Sequence, residues 1–206
     1  FYFLDMKNDN ELIIPYMASV GWYADWLAER LGRQVASQDV DCRDLNRCKI
    51  LGANGLQTLS VPIDGGGRNL RLPYKQIGVS EHGSWRRVHW GAIFSAYGRA
   101  PYFEHYEHLF SPIWSRPWAS LAELNQAIHE VVISIILNPE IESQLRKDID
   151  RVYVIAADYS AYWQINSVKD GFVADLSIVD LLFSLGPQSI FHLLHTIIDR
   201  RVISQS

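Results

Sequence analysis

The run WRRVHWGAIFSAY, from Trp85 to Tyr97, constrains the fold more than any other part of the chain. Trp85, Val88, His89, Ala92, Ile93, Ala96 and Tyr97 recur at steps of three and four residues, which draws one apolar stripe along a helix. Such a stripe must be buried against a second layer of structure. Ser84 stands where an N-cap belongs and Gly98 where a helix ends. The stripe carries His89 and Tyr97 inward and leaves Arg86 and Arg87 on the outer side. Pro101 can then begin another helical turn that presents Tyr102, Phe103 and Tyr106.

The second half continues in this manner. Ser120-Leu121-Ala122-Glu123 is a capping box, and Leu121, Leu124, Ile128, Val131, Val132, Ile135 and Ile136 extend an apolar face until Asn138-Pro139 starts a further helix. Val152–Ala156 reads as a buried strand. Ser177 or Asp175 can cap a helix over Ile178–Leu185 that Gly186 ends, and Pro187 opens a last helix with Ile190, Leu193, Leu194 and Ile197 inward. The first half reads as short strands at Leu12–Ile14, Gln34–Val40 and Thr58–Ile63, the last with a partner within Leu70–Ser80, and one helix near Gly21–Leu31. Asp64 to Asn69, rich in glycine, is expected to be the hairpin joining the last pair, since no Gly-Lys-Ser/Thr ending marks a phosphate loop. The expected class is mixed α/β (α+β): a single domain over residues 1–206, with a modest sheet in the N-terminal half and a predominantly helical C-terminal half.

Charge excludes some partners. A net charge of -4 supplies no concentration of cations for neutralising phosphates, so no nucleic-acid partner is expected. Cys42 and Cys48 are too few for a secreted disulfide framework and have no neighbouring histidine, so reduced thiols in a cytoplasmic protein, without a metal, are expected. No apolar run of about 18 residues and no basic-then-apolar leader occurs, so neither a membrane span nor a signal peptide is expected. The chain starts at Phe1 rather than Met, which leaves room for a native segment before it.

Three groups of residues carry chemistry. His89 is the natural general base, because imidazole exchanges protons near neutral pH, although a histidine on an apolar face is as often a hydrogen-bonded core residue. Asp41, Asn46, Arg47, Lys49 and Asn54 form a polar cluster, read as lying between the strand ending near Val40 and the one starting at Thr58. There Arg47 offers a planar fork and Lys49 a compact cation for phosphate or carboxylate. Trp85, Tyr97, Tyr102 and Tyr106 can stack a sugar, and the phenols can donate a proton; core packing is the plainer reading of each. Tyr162, Gln164, Gly171, Phe172, Asp175 and Asp180 can complete the same pocket, with Asp180 otherwise on a helix surface. GxSxG, HExxH, GxGxxG and Walker patterns are all absent from the sequence. No cofactor is legible.

An ordered set of segments also carries a resemblance. Asn46-Arg47-Cys48-Lys49-Ile50, then Asn54 to Ile63 with its Val61-Pro62 ending, Trp85, His89, Tyr97, Ala100-Pro101-Tyr102-Phe103, Leu124-Asn125, and Leu176 to Phe183 with Gly186-Pro187 together resemble the WbqC-like family. These are bacterial proteins associated with O-antigen and other surface-polysaccharide gene clusters. The resemblance implies a pathway more firmly than a reaction. It makes an enzyme that transfers a group to a nucleotide-linked or carrier-linked sugar the leading expectation. In it His89 and Tyr97 serve the proton transfer, Arg47 and Lys49 hold phosphate, and Tyr102 with its aromatic neighbours holds the sugar. A non-catalytic glycan-binding or assembly protein, or a hydrolase, would use the same residues.

Overall fold

The computed structural model describes residues 12–32, 40–137, 141, 143, 145, 147, 161–167 and 171–204. Two strands, β1 (Arg47–Gly52) and β2 (Gly55–Ser60), pair antiparallel from Arg47↔Ser60 to Gly52↔Gly55. Period-two alternation drives this hairpin: Cys48 and Ile50 are buried, while Arg47 and Lys49 are exposed. The segment read as a polar loop from its Arg and Lys is therefore a strand. Beyond Ser60 the pairing shrinks to a single bridge between Ile63 and Val79. Gly67–Arg71 and Tyr74–Gln76 wind into 3-10 turns, which bury Leu70 and Tyr74. The expected partner strand, and with it the glycine-rich hairpin, is thus replaced by turns. Leu12–Ile14 is not a strand either, because side chains take the Ile14 carbonyl: the Tyr74 hydroxyl donates to it at 2.6 Å and Asn125 Nδ2 at 2.8 Å. The strand expected at 34–40 falls outside the described residues except for Val40. The strand at 152–156 and the helix start at 138–139 fall wholly outside them.

Six helices are described at length: α1 (Val20–Arg30), α2 (Trp85–Tyr97), α3 (Phe103–Phe110), α4 (Leu121–Ile136), α5 (Ile178–Leu185) and α6 (Ser189–Ser204). In α4 the expected cap is made, with Glu123 N–H donating to Ser120 Oγ at 3.2 Å. Ser84 leads α2 without a side-chain cap bond. Gly98 is the C-cap of α2, where a β-carbon would lie 2.7 Å from the Phe94 carbonyl oxygen. α2 packs on β1 and α1 on α6. At the centre, Phe183 of α5 meets Tyr97, Phe103 and Phe110 at ring-centroid distances of 5.6, 5.0 and 5.4 Å, which joins α2, α3 and α5 through one side chain.

Asp180 lies on the buried side of α5, not on the helix surface: its carboxylate accepts from the Tyr162 hydroxyl at 2.6 Å and from Gln164 Nε2 at 3.0 Å. Burial raises its pKa. Asp175 caps α1 rather than the helix that follows it, since Gly21 N–H donates to its Oδ1 at 2.7 Å across 154 residues. Its backbone sits at φ 55°, a left-handed conformation that Asn and Asp tolerate better than Ala. Asp175→Ala is therefore expected to cost about 1–2 kcal/mol, combining a lost cap with backbone strain, while Asp175→Asn stays near wild type. Urea midpoints of the two variants check this.

Candidate functional site

The exposed face of β1 opens onto a cleft of about 410 Å³. Arg47 and Lys49 enter it from alternate positions on the strand, with Thr58 beside them from β2, directly across from Lys49. Trp22, largely buried in the first turn of α1, contributes one edge of the lining, and Asp41 and Asp44 come from the loop before β1. Asp175 and Ser177 close the far side.

Long-range backbone bonds assemble these pieces. Ser19 and Ser177 form an antiparallel bridge in which Val20 N–H donates to the Leu176 carbonyl and Ile178 N–H to the Ala18 carbonyl, each at 2.9 Å. Ser177 N–H also donates to the Lys49 carbonyl at 2.8 Å. The starts of α1 and α5 are thereby locked side by side against β1. Met17 at φ 43° and Asp175 at φ 55° are the non-glycine residues with positive φ among those described, and both line this cleft. Such strain persists where the surroundings overdetermine it, and it collects at functional sites. Ser177 Oγ is buried and has no hydrogen-bond partner among the described residues.

The charges in the cleft are not equally committed. Asp41 accepts from Arg43 Nε at 2.9 Å and from Nη2 at 2.5 Å, and these bonds hold its carboxyl down at about 2. Asp175 is occupied in capping α1. Arg47 and Lys49 have no ion-pair partner among the described residues, so two cations face a polar space of ligand size. Cys48 is buried behind them, its thiol pKa raised by burial, and both cysteines are free. Among the described residues, no group of three or more His, Cys, Asp or Glu is placed to hold a metal.

The other residues expected at the site lie elsewhere. Asn46 is buried, and its Nδ2 donates to the Val61 carbonyl at 2.6 Å, tying the base of the hairpin. Asn54 sits in the turn at the opposite end of that hairpin. Tyr97 is fully buried, its hydroxyl accepting from Leu51 N–H at 3.3 Å, and its pKa is raised first by burial and then by the Asp180 charge. Tyr102 and Tyr106 stack on each other at 6.3 Å, with Tyr102 packed over Gly186, where a β-carbon would come within 2.4 Å of the ring.

His89 does not line the cleft. Its Nδ1 lies 2.9 Å from the Tyr16 hydroxyl, whose oxygen accepts from Trp114 Nε1–H at 3.1 Å. The imidazole donates to the Ser60 backbone, which leaves Nδ1 to accept the phenol's proton in the neutral tautomer protonated at Nε2. Burial lowers the imidazole pKa to about 4, and donation to the Ser60 backbone opposes this only in part. Trp85 packs edge-on against His89 at 5.2 Å and donates its indole N–H to the Ser80 carbonyl at 3.1 Å. Of the residues singled out from sequence, the cleft thus gathers Asp41, Arg47, Lys49 and Asp175. Trp22 carried no sequence signal for this place, and Asp175 and Ser177 were legible chiefly as caps.

The family model of WbqC-like proteins matches residues 42–151, more than half of the chain. The chain belongs to the WbqC-like protein family. No curated protein and no solved structure matches it. The matched segment of this WbqC-like chain contains Asp44, Arg47, Lys49 and Thr58, whereas Trp22, Asp175 and Ser177 reach the cleft from outside it. No helix among the described residues is long and apolar enough to cross a membrane.

Proposed function

We propose that this WbqC-like chain works in surface-polysaccharide biosynthesis of the O-antigen type, transferring a group to a hydroxyl or amine of a nucleotide-linked or carrier-linked sugar. The observation that carries the reading is the pair Arg47 and Lys49, without ion-pair partners among the described residues, on the open face of β1 beside Trp22. Phosphate fits the guanidinium fork, and the indole suits the apolar face of a sugar or base. Two neighbouring cations would also stabilise negative charge developing on the acceptor. In this scheme Asp44, on the rim, is the carboxylate placed to take a proton. His89, neutral and bonded to Tyr16, shapes the protein behind the site and touches no reacting atom.

The second reading is recognition without turnover, favoured by the absence of any histidine among the described residues lining the cleft. One experiment separates the two. Purified protein is incubated with a panel of nucleotide sugars together with acyl and aminoacyl donors, and every product mass is followed. A transferred group, formed more slowly by Arg47→Ala, is the expected result; binding without any mass change selects the recognition protein.

A further inference from the structure

A second cleft, of about 480 Å³, shares no lining residue with the first. It lies between the first turns of α2 and the 3-10 turn Ser111–Trp114. Trp85, Trp90 and Trp114 line it; Trp85 and Trp114 are buried, and the half-buried Trp90 stacks on Trp114 at 5.3 Å and 27°. The indole N–H groups of Trp85 and Trp114 are already spent on the Ser80 carbonyl and the Tyr16 hydroxyl. These two rings are buried and back the cleft, and the small part of each that reaches it is apolar. Trp90 is half-buried, and its N–H has no partner among the described residues.

The polar side of the cleft is unequal. Arg86 is held by Glu81, and its guanidinium lies 5.8 Å from the Trp85 ring centroid. Arg87 is exposed and has no ion-pair partner among the described residues. Ser115 spends its hydroxyl proton on the Ser111 carbonyl at 3.1 Å, which leaves its oxygen able to accept. An apolar lining, hydroxyls and one available cation match the three surfaces of an acidic sugar: the C–H face of its ring, its hydroxyls and its charge. The volume is that of a small-molecule pocket, far larger than an inorganic anion needs.

We propose that this cleft is a second binding site, which takes a saccharide bearing a carboxylate or phosphate, its ring against the tryptophans and its charge on Arg87. The proposal does not depend on the activity assigned to the first cleft. Nitrogen-labelled protein is titrated with glucuronate, glucose 6-phosphate, glucose and inorganic phosphate while the assigned indole N–H resonances of Trp85, Trp90 and Trp114 are followed. Saturable shifts at Trp90 and Trp114 are expected with both charged sugars, with glucose binding about tenfold more weakly. Arg87→Ala, on an exposed side chain, should raise the Kd for the charged sugars about tenfold, while Arg47→Ala should leave it unchanged. Unmoved indoles, equal binding of glucose, equal binding of inorganic phosphate, or an Arg47→Ala effect as large as that of Arg87→Ala would each overturn the proposal.

Discussion

Lowering the pH from about 7 to about 5 is expected to remove about 4 kcal/mol of stability through two buried histidines. His89 and His129 both have pKa values lowered to about 4, first by burial and, for His129, also by the Arg30 charge. His129 Nδ1 lies 3.2 Å from the Tyr23 hydroxyl, in a ring cluster with Trp22 and Trp26. Between about pH 6.5, the ordinary imidazole value, and about pH 4 the unfolded chain binds protons that the folded chain does not. Stability therefore rises with pH across that window and falls on acidification. Each histidine accounts for about 2 kcal/mol at about pH 5, and together they are a large part of the 5–15 kcal/mol typical of a folded protein. Asp41 loses its stabilising contribution only toward about pH 2. Asp180 acts with the opposite sign, since a raised carboxyl binds its proton in the folded state first. For that reason the test compares variants: urea unfolding of His89→Gln and His129→Gln at both pH values should each remove about half of the slope. Unchanged slopes would mean that the imidazoles protonate within the fold.

Arg47→Ala is expected to weaken binding of the accepted nucleotide sugar roughly 10- to 150-fold, the equivalent of about 1.5–3 kcal/mol for a charge-assisted contact. Arg47→Lys should lose less but still lose, because an ammonium keeps the charge and gives up the two-pronged geometry. The side chain is exposed and lies outside the core, so both variants should melt with the wild type. Titration calorimetry with the sugar that the product screen identifies measures the effect. Unchanged affinity in Arg47→Ala would remove β1 from the site and return its cations to ordinary surface roles.

What could be read ahead of the structure follows the range of the forces involved. α2, α4 and α5 were legible because their apolar residues repeat at helical spacing, a Ser precedes each, and Gly98, Asn138-Pro139 and Gly186 follow them, all within one segment. β1 was hidden because Arg47 and Lys49 occupy the solvent face of its alternation and look like a loop. Tyr74 and Asn125 satisfy the Ile14 carbonyl from 60 and 111 residues away, and no local pattern announces that. The same limit applied to the chemistry. The Arg47 and Lys49 pair was visible as a motif, but the state of His89 depends on Tyr16, 73 residues earlier, and on Trp114 beyond it. Asp175 gave a cap signal and no indication that the helix it caps lies near the other end of the chain.

That distant cap has a consequence for how the chain is made. α1 precedes its acceptor by 154 residues, which at 5–20 residues per second is a wait of roughly 8 to 30 s on the ribosome. During that wait Gly21 N–H has no Asp175, and Val20 has no Leu176 carbonyl. Helix α1 also has no α6 to pack against. Short helices are marginal in water without such packing, so α1 is expected to settle only once the segment that carries Asp175 and α6 has been made. The cleft beside Arg47 is then completed after synthesis of the family-matched segment, 42–151, has finished. A nascent chain stopped after that segment would display the two cations of β1 with neither Trp22 nor Ser177 in place.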